Sequence, residues 1–194
     1  MTIAATATGH AVDFDLFPEG EDGPVAVARF TENAAPDPLF AHVMNRRSCK
    51  EPFLDQPVAS TPSLEDLADI HTDAGMVADL RELTKQAFQV EALTPHTLEE
   101  SVDLMRIGKA EINANPDGID LGGAFFETLN MAGMMSKEAL MDVENIGFKQ
   151  QLEGYLSMLH ATPAYAVILT TSNTREDQIA AGRRWLRLNL TTTR

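Results

Sequence analysis

The hydrophobic period changes several times along this chain, and each change predicts an element. Val12, Phe14 and Leu16 alternate with Asp13 and Asp15, the period-two pattern of a half-buried strand. A second alternating run covers residues 25–30. The turn-rich residues 18–24 between the two runs predict a hairpin. Ahead of it, residues 3–9 are rich in alanine and threonine and end in Gly9-His10, which reads as the last turns of a helix stopped at the glycine.

From residue 39 the period becomes helical. Leu39 and Val43, and Phe40 and Met44, are spaced four apart and predict one helical face that ends in Asn45-Arg46-Arg47-Ser48. Ser60 or Thr61 can cap the next helix, with Pro62 in its first turn and Leu64, Leu67 and Ile70 as its apolar face. Residues 76–93 form a longer helix with Val77, Leu80, Leu83, Ala87 and Val90 on one stripe. Leu98, Val102 and Met105 continue the helical pattern after Thr94-Pro95. Residues 106–123, with two asparagines, Pro116, Asp117 and Gly118, Gly122 and Gly123, read mainly as loop with a turn at Asn115-Pro116-Asp117-Gly118. A phenylalanine- and methionine-rich stretch, 125–135, breaks at Gly133. Phe148, Leu152, Tyr155 and Leu159 then fall in helical register. The apolar run 163–171 reads as a central strand buried on both faces. Thr174, followed by Glu176 and Asp177, opens a last helix with Ile179, Gly182, Leu186 and Leu190 inward and Gly182 allowing a close neighbour. The sum is a helix-rich α+β chain with a mixed sheet flanked by helices.

Length changes this picture little: 194 residues are enough for one domain with a real core, or a large piece of one, divided into a hairpin segment, 1–36, and a core, 37–194. Charge changes it more. Twenty-nine acidic against 15 basic residues give a net charge of −14, which repels nucleic acid and anionic lipid, so neither is an expected partner. Against that background a basic knot stands out. Arg46, Arg47 and Lys50 bring fixed positive charge and Ser48 a short hydroxyl within five residues. Guanidinium forks, an ammonium and a hydroxyl can surround a phosphate monoester. A solvated basic helix end, where cations meet the negative pole of the helix, is the plainer alternative.

Other chemistries find little support. Cys49 is the sole cysteine, so no internal disulfide forms and a reducing, cytoplasmic setting is expected. No apolar run approaches the roughly 20 residues that span a bilayer. His10, His42, His71, His96 and His160 show no metal-ligand spacing. Neither a dinucleotide or P-loop glycine pattern nor a nucleophile elbow occurs.

The basic knot also belongs to a longer series. Arg46-Arg47-Ser48-Cys49-Lys50-Glu51-Pro52-Phe53, followed by Gln56-Pro57-Val58 and Leu64, resembles the N-terminal flavin-phosphate motif of nitroreductase-like flavoproteins. Glu99-Glu100-Ser101 through Arg106-Ile107-Gly108, Asp117-Gly118-Ile119, and Asn173-Thr174-Arg175 through Gln178, Gly182-Arg183 and Arg187 to Leu190 resemble the Acg-type branch of that superfamily. The resemblance runs in order over nearly the whole chain, which corresponds to the middle of such a protein. It implies the nitroreductase-like fold, non-covalent FMN at a two-fold or pseudo-two-fold interface, and hydride transfer from NADH or NADPH to nitro or quinone-type small-molecule acceptors. It places Arg46, Ser48 and Lys50 on the FMN phosphate and ribityl chain, with Arg47 as a helper. It also makes residues 94–142 a lid excursion, with Phe125, Phe126, Met131, Met134 and Met135 over the flavin ring; filling a core is the other use of those side chains. A chain of this extent would be completed by a second copy, as a homodimer built through residues 76–93 and 174–192. Two other outcomes stay open at this point: a protein that binds or sequesters flavin without turnover, and a degenerate scaffold without flavin.

Overall fold

The structure is a computed structural model and describes residues 1–49, 51–54 and 56–193. It is α+β and helix-rich, with its strands in small two-stranded sheets. Contacts gather the chain into two compact units, one made of Met1–Cys49, Val58–Thr72 and Ala164–Arg194, the other of Lys50–Pro57 and Asp73–Pro163.

The first unit begins with a short helix α1 (Thr2–Thr6) and the hairpin expected from the alternating runs. Strands β1 (His10–Leu16) and β2 (Ala26–Glu32) pair antiparallel, with Val12 opposite Phe30 and Phe14 opposite Ala28. In β1 the half-buried positions are His10, Val12, Phe14 and Leu16, the face the sequence alternation defined. The alternation fails in β2, where Phe30 stays exposed. Two arginines of the last helix, α9 (Arg175–Thr192), lie over the hairpin's aromatic rings: Arg183 is 5.0 Å from the Phe14 centroid and Arg175 4.6 Å from that of Phe17. Cation–π contacts of this kind combine ring coverage with charge.

Helix α9 starts as its sequence dictates. The Thr174 hydroxyl accepts from the Asp177 backbone N–H, and the Asp177 carboxylate accepts in return from the Thr174 N–H, a complete capping box. Its buried end is Leu190, the most deeply enclosed large side chain, and Ile179 is half-buried. Gly182 has open space where a Cβ would stand, so the close approach expected there does not occur among the described residues.

Two expected elements of this unit change. The helix before Arg46 is only a 3₁₀ turn, Pro38–His42, capped by the Asp37 side chain, and Met44 is 77% exposed. Pro36 and Pro38 bracket its start and no apolar layer covers Phe40, Val43 and Met44, so the four-residue spacing there had nothing to pack against. The central strand expected over residues 163–171 shrinks to β6 (Tyr165–Val167). It pairs antiparallel with β3 (Asp69–His71), which follows the short Pro-led helix α2 (Pro62–Glu65). The sheet is two strands wide and leaves Leu169 64% exposed, so apolarity did not translate into burial on both faces.

The second unit holds a continuous core. Helices α3 (Ala74–Leu93) and α4 (Pro95–Leu104) lead into β4 (Met105–Ile107) and α5 (Gly108–Ala114). Then come β5 (Ile119–Leu121), α6 (Ala124–Met131), α7 (Lys137–Met141) and α8 (Ile146–His160). Leu98, Val102, Met105, Ile107, Leu121, Met135, Leu140 and Phe148 form one buried cluster from five of these elements and a loop residue. The region expected to be mainly loop, 106–123, is instead a parallel strand pair around a short helix, with Met105 opposite Ile119 and Ile107 opposite Leu121. Its turn at Asn115–Gly118 stands, but the flanking triplets Met105-Arg106-Ile107 and Ile119-Asp120-Leu121 were too short to show a period.

Helix α3 buries only the first part of the expected stripe, Val77 and Leu80. Val77 is buried and Leu80, Arg81, Thr84 and Phe88 are half-buried, whereas Leu83 and Val90 are 60% and 68% exposed. The inward line runs through Thr84, whose hydroxyl donates to the Leu80 carbonyl, and Phe88, which meets Tyr155 of α8 at 5.1 Å between centroids. Arg81 fixes the same face by donating from Nε to the Thr162 carbonyl at 2.7 Å. A line of Met76, Leu83, Ala87 and Val90 is left uncovered on the helix surface.

Candidate functional site

The basic stretch lies just past the 3₁₀ turn, on residues without regular secondary structure. Backbone N–H groups of Asn45 and Arg46 both donate to the His42 carbonyl, at 3.1 and 3.0 Å, and neither helix nor strand covers residues 46–49. Arg46 is half-buried; Arg47 and Ser48 are exposed. The Arg47 guanidinium folds back, donating from Nη1 to the carbonyls of Met44 at 2.8 Å and Arg46 at 2.7 Å. Arg47 thus serves partly as a cap for its own turn. The Arg47 residue is exposed, and a guanidinium carries five N–H donors in all. Arg46, Arg47 and Ser48 are brought together in one short stretch, and Lys50 lies outside the described residues. Two guanidinium groups and a hydroxyl on three consecutive residues are donor types that can bind a phosphate.

The aromatic and methionine residues divide. Met135 is buried in the core cluster and Phe126 packs against it, which is the core-filling use. Phe125, Phe126, Met134 and Met135 also line a cavity of about 240 Å³ that reaches Gln150 and Gln151 of α8. Phe125 meets Phe126 edge-on at 5.4 Å between centroids. Met131 is 89% exposed and takes no part in that cavity. Of the five side chains, four therefore enclose one apolar space and one stands outside it.

Two of the recognised segments meet in space. Arg106 donates from Nε to Asp117 Oδ1 at 2.9 Å, and its Nη1 donates to the Asp103 and Met105 carbonyls. The Arg106 side chain is largely buried, so this pair sits between exposed and enclosed and holds the β4–β5 crossover shut. Gly118 stands beside it with φ +75°, and a Cβ there would come within 2.1 Å of the Leu104 carbonyl oxygen. No L side chain fits that space, which is the physical reason for glycine in Asp117-Gly118-Ile119. Glu127 and Glu111 accept from the Lys109 and Ile107 backbone N–H groups at the start of α5, roles the pattern of the sequence did not single out.

In the first unit the arginines of the C-terminal segment have structural partners. Arg175 donates to the Glu21 carbonyl, Arg184 to the carbonyls of Leu67 and Leu169, and Arg187 pairs with Asp37 at 3.0 Å. Asp37 in turn caps the 3₁₀ turn that leads to Arg46, so Arg187 supports the basic stretch at one remove. The Asp177 carboxyl is held below the usual aspartate range, first by the Ser172 hydroxyl and then by the Thr174 backbone and hydroxyl.

No cluster of three or more His, Cys, Asp or Glu side chains able to hold a metal ion occurs among the described residues. None of their helices is long and apolar enough to cross a membrane. Comparison with protein-family models, with curated proteins and with solved structures gives no match.

Proposed function

We propose that this chain is an FMN-binding oxidoreductase of the nitroreductase type, using NADH or NADPH and passing reducing equivalents to nitro or quinone-type acceptors. The observation that carries the reading is the phosphate-type donor set Arg46-Arg47-Ser48 on one short stretch, at the head of an ordered series of segments resembling that superfamily. The meeting of Arg106-Ile107-Gly108 with Asp117-Gly118-Ile119 supports it, because two segments of the series have a shared structural use.

When bound, FMN supplies the hydride chemistry. The chain's own part is to bind, orient and dry the group. Arg46, a half-buried residue, would hold the phosphate through its guanidinium, Arg47 would add charge while its Nη1 steadies the turn, and Ser48 would add a hydroxyl; Lys50 would complete the set that the resemblance implies. Phe125, Phe126, Met134 and Met135, contributed by a second copy, would exclude water from the ring. The nitroreductase-like fold is part of the same proposal.

So is a homodimer. Leu83 and Val90 of α3, and Trp185 and Leu186 of α9, are exposed large apolar side chains that need cover. An obligate pair built through these helices buries more than roughly 2,000 Å² in total. In such a pair, Arg46 and Ser48 of one copy serve the same flavin as the Phe125–Met135 stretch of the other. Steady-state oxidation of NADH and NADPH with a quinone and a nitroaromatic acceptor, on FMN-loaded protein, tests the enzymatic half. Turnover supports it, and bound FMN without turnover replaces the oxidoreductase with a flavin-sequestering protein.

A further inference from the structure

The second unit contains a second, larger cavity that the flavin reading does not use. It measures about 310 Å³ and lies among α3, α4 and α8. Its floor belongs to the buried core cluster, through Val102 and Phe148. Half-buried Phe88, Ala92 and Leu152 add walls above that floor. Phe88 and Tyr155 stand as a tilted ring pair with 5.1 Å between centroids. Glu91 and Tyr155 are exposed residues, so the space opens to solvent beside them.

The interior makes no directed polar demand on an occupant. Gln151 borders the cavity, but its side-chain oxygen is enclosed in protein and offers nothing to a molecule there. Water is a poor occupant for the same reason: it needs two to four polar partners, and the walls are mostly apolar. Displacing weakly held water with an apolar surface is favourable, and burying that surface against the walls adds the hydrophobic term.

We infer that this cavity binds an uncharged, apolar aromatic molecule of two fused rings, by shape and burial alone. An apolar cavity of about 150 Å³ holds one benzene-sized molecule. About 310 Å³ is twice that and lies at the lower end of ligand pockets. Flat rings are favoured over flexible chains, because offset and edge contacts with Phe88, Tyr155 and Phe148 add to apolar burial. An anionic group is disfavoured by Glu91 and by the overall charge of −14, and it would lose its water with no built donor to replace it. The inference rests on neither FMN nor Arg46, Arg47 and Ser48.

Naphthalene, benzene and 2-naphthoate are suitable probes: the second has half the ring system and the third adds a carboxylate. Each is titrated into the purified full chain, labelled with nitrogen-15, and followed by amide NMR. Naphthalene is expected to shift the resonances of Ala92, Ser101 and Leu152, and to leave those of Phe125 and Leu129, which line the neighbouring cavity, in place. Benzene and 2-naphthoate are each expected to bind at least tenfold more weakly than naphthalene. Ala92→Phe, which fills the space from α3, is expected to weaken naphthalene at least tenfold, with circular dichroism confirming the fold; Ser101→Leu, filling from α4, serves if that variant does not fold. The mapping on the wild-type chain needs no variant. Absence of any shift at the solubility limit of naphthalene overturns the inference, as do shifts confined to Phe125 and Leu129. So does equal binding of benzene or 2-naphthoate, or unchanged naphthalene affinity in a folded filling variant.

Discussion

Replacing Gly118 by alanine tests the packing of the β4–β5 crossover. At φ +75° an L residue is disfavoured by roughly 1–2 kcal/mol before any contact is considered. The added Cβ would then stand 2.1 Å from the Leu104 carbonyl oxygen and 3.2 Å from its carbon. Both are backbone atoms, so no side-chain rotation relieves the overlap. The strand pair must part by about an ångström, disturbing a three-residue ladder whose ends, Met105 and Ile107 against Ile119 and Leu121, include core residues. Loss of one or two ladder hydrogen bonds adds about 1 kcal/mol each, for a total near 3 kcal/mol or more. Gly133 is the matched control: its φ is +70°, nearly the same backbone, but nothing stands within 4 Å of its Cβ position. Gly133→Ala is expected to cost only the left-handed penalty, about 1–2 kcal/mol. Urea unfolding of both variants, followed by far-ultraviolet circular dichroism, gives the difference directly. Equal costs for the two variants would refute the crowding at Leu104, and with it the account of why this segment needs glycine.

Three further outcomes follow from the same geometry. Arg46→Ala is expected to weaken FMN binding by about 1.5–3 kcal/mol, the scale of a charged hydrogen bond, and Arg47→Ala by less because its Nη1 is engaged with two backbone carbonyls; flavin fluorescence titration checks both. Asp177, its folded carboxyl held low by Ser172 and Thr174, stabilises α9 above its ordinary titration range near about pH 4, and that contribution is lost as pH falls through its lowered folded value. Asp177→Asn should therefore lower the urea midpoint at neutral pH and converge with wild type in acid; a gap that persists unchanged in acid contradicts the assignment. Sedimentation equilibrium at micromolar concentration should show a dimer, and Leu83→Lys with Val90→Lys should shift it to monomer; a wild-type monomer contradicts the homodimer.

Local rules were legible in the sequence where one element decides its own form. The hairpin alternation at Val12, Phe14 and Leu16, the proline-led start at Pro62 and the Thr174–Asp177 capping box all depend on neighbours a few residues away. Leu98 and Val102 were legible too, because α4 has one buried face, whereas Met105, expected to continue that helix, is buried in strand β4 instead. The readings that failed needed tertiary information. On α3 the two apolar lines pass through Leu83–Val90 and through Leu80–Phe88, and only Tyr155 and the Thr162 carbonyl select the second. Residues 163–171 are apolar enough for a central strand, yet only three of them find a partner, in β3. At the site, the cations were visible as charge against an acidic chain, whereas the folding of Arg47 onto Met44 and Arg46 depends on the turn it caps.

The most direct test of the central claim is a titration of the purified, flavin-free chain with FMN, paired with the same titration of riboflavin, which lacks the phosphate. If Arg46, Arg47 and Ser48 form a phosphate site, FMN should bind with its fluorescence quenched, riboflavin should bind at least tenfold more weakly, and Arg46→Ala should narrow that gap. No change on adding FMN, or equal affinity for FMN and riboflavin, would contradict the flavin-phosphate site and the oxidoreductase built on it.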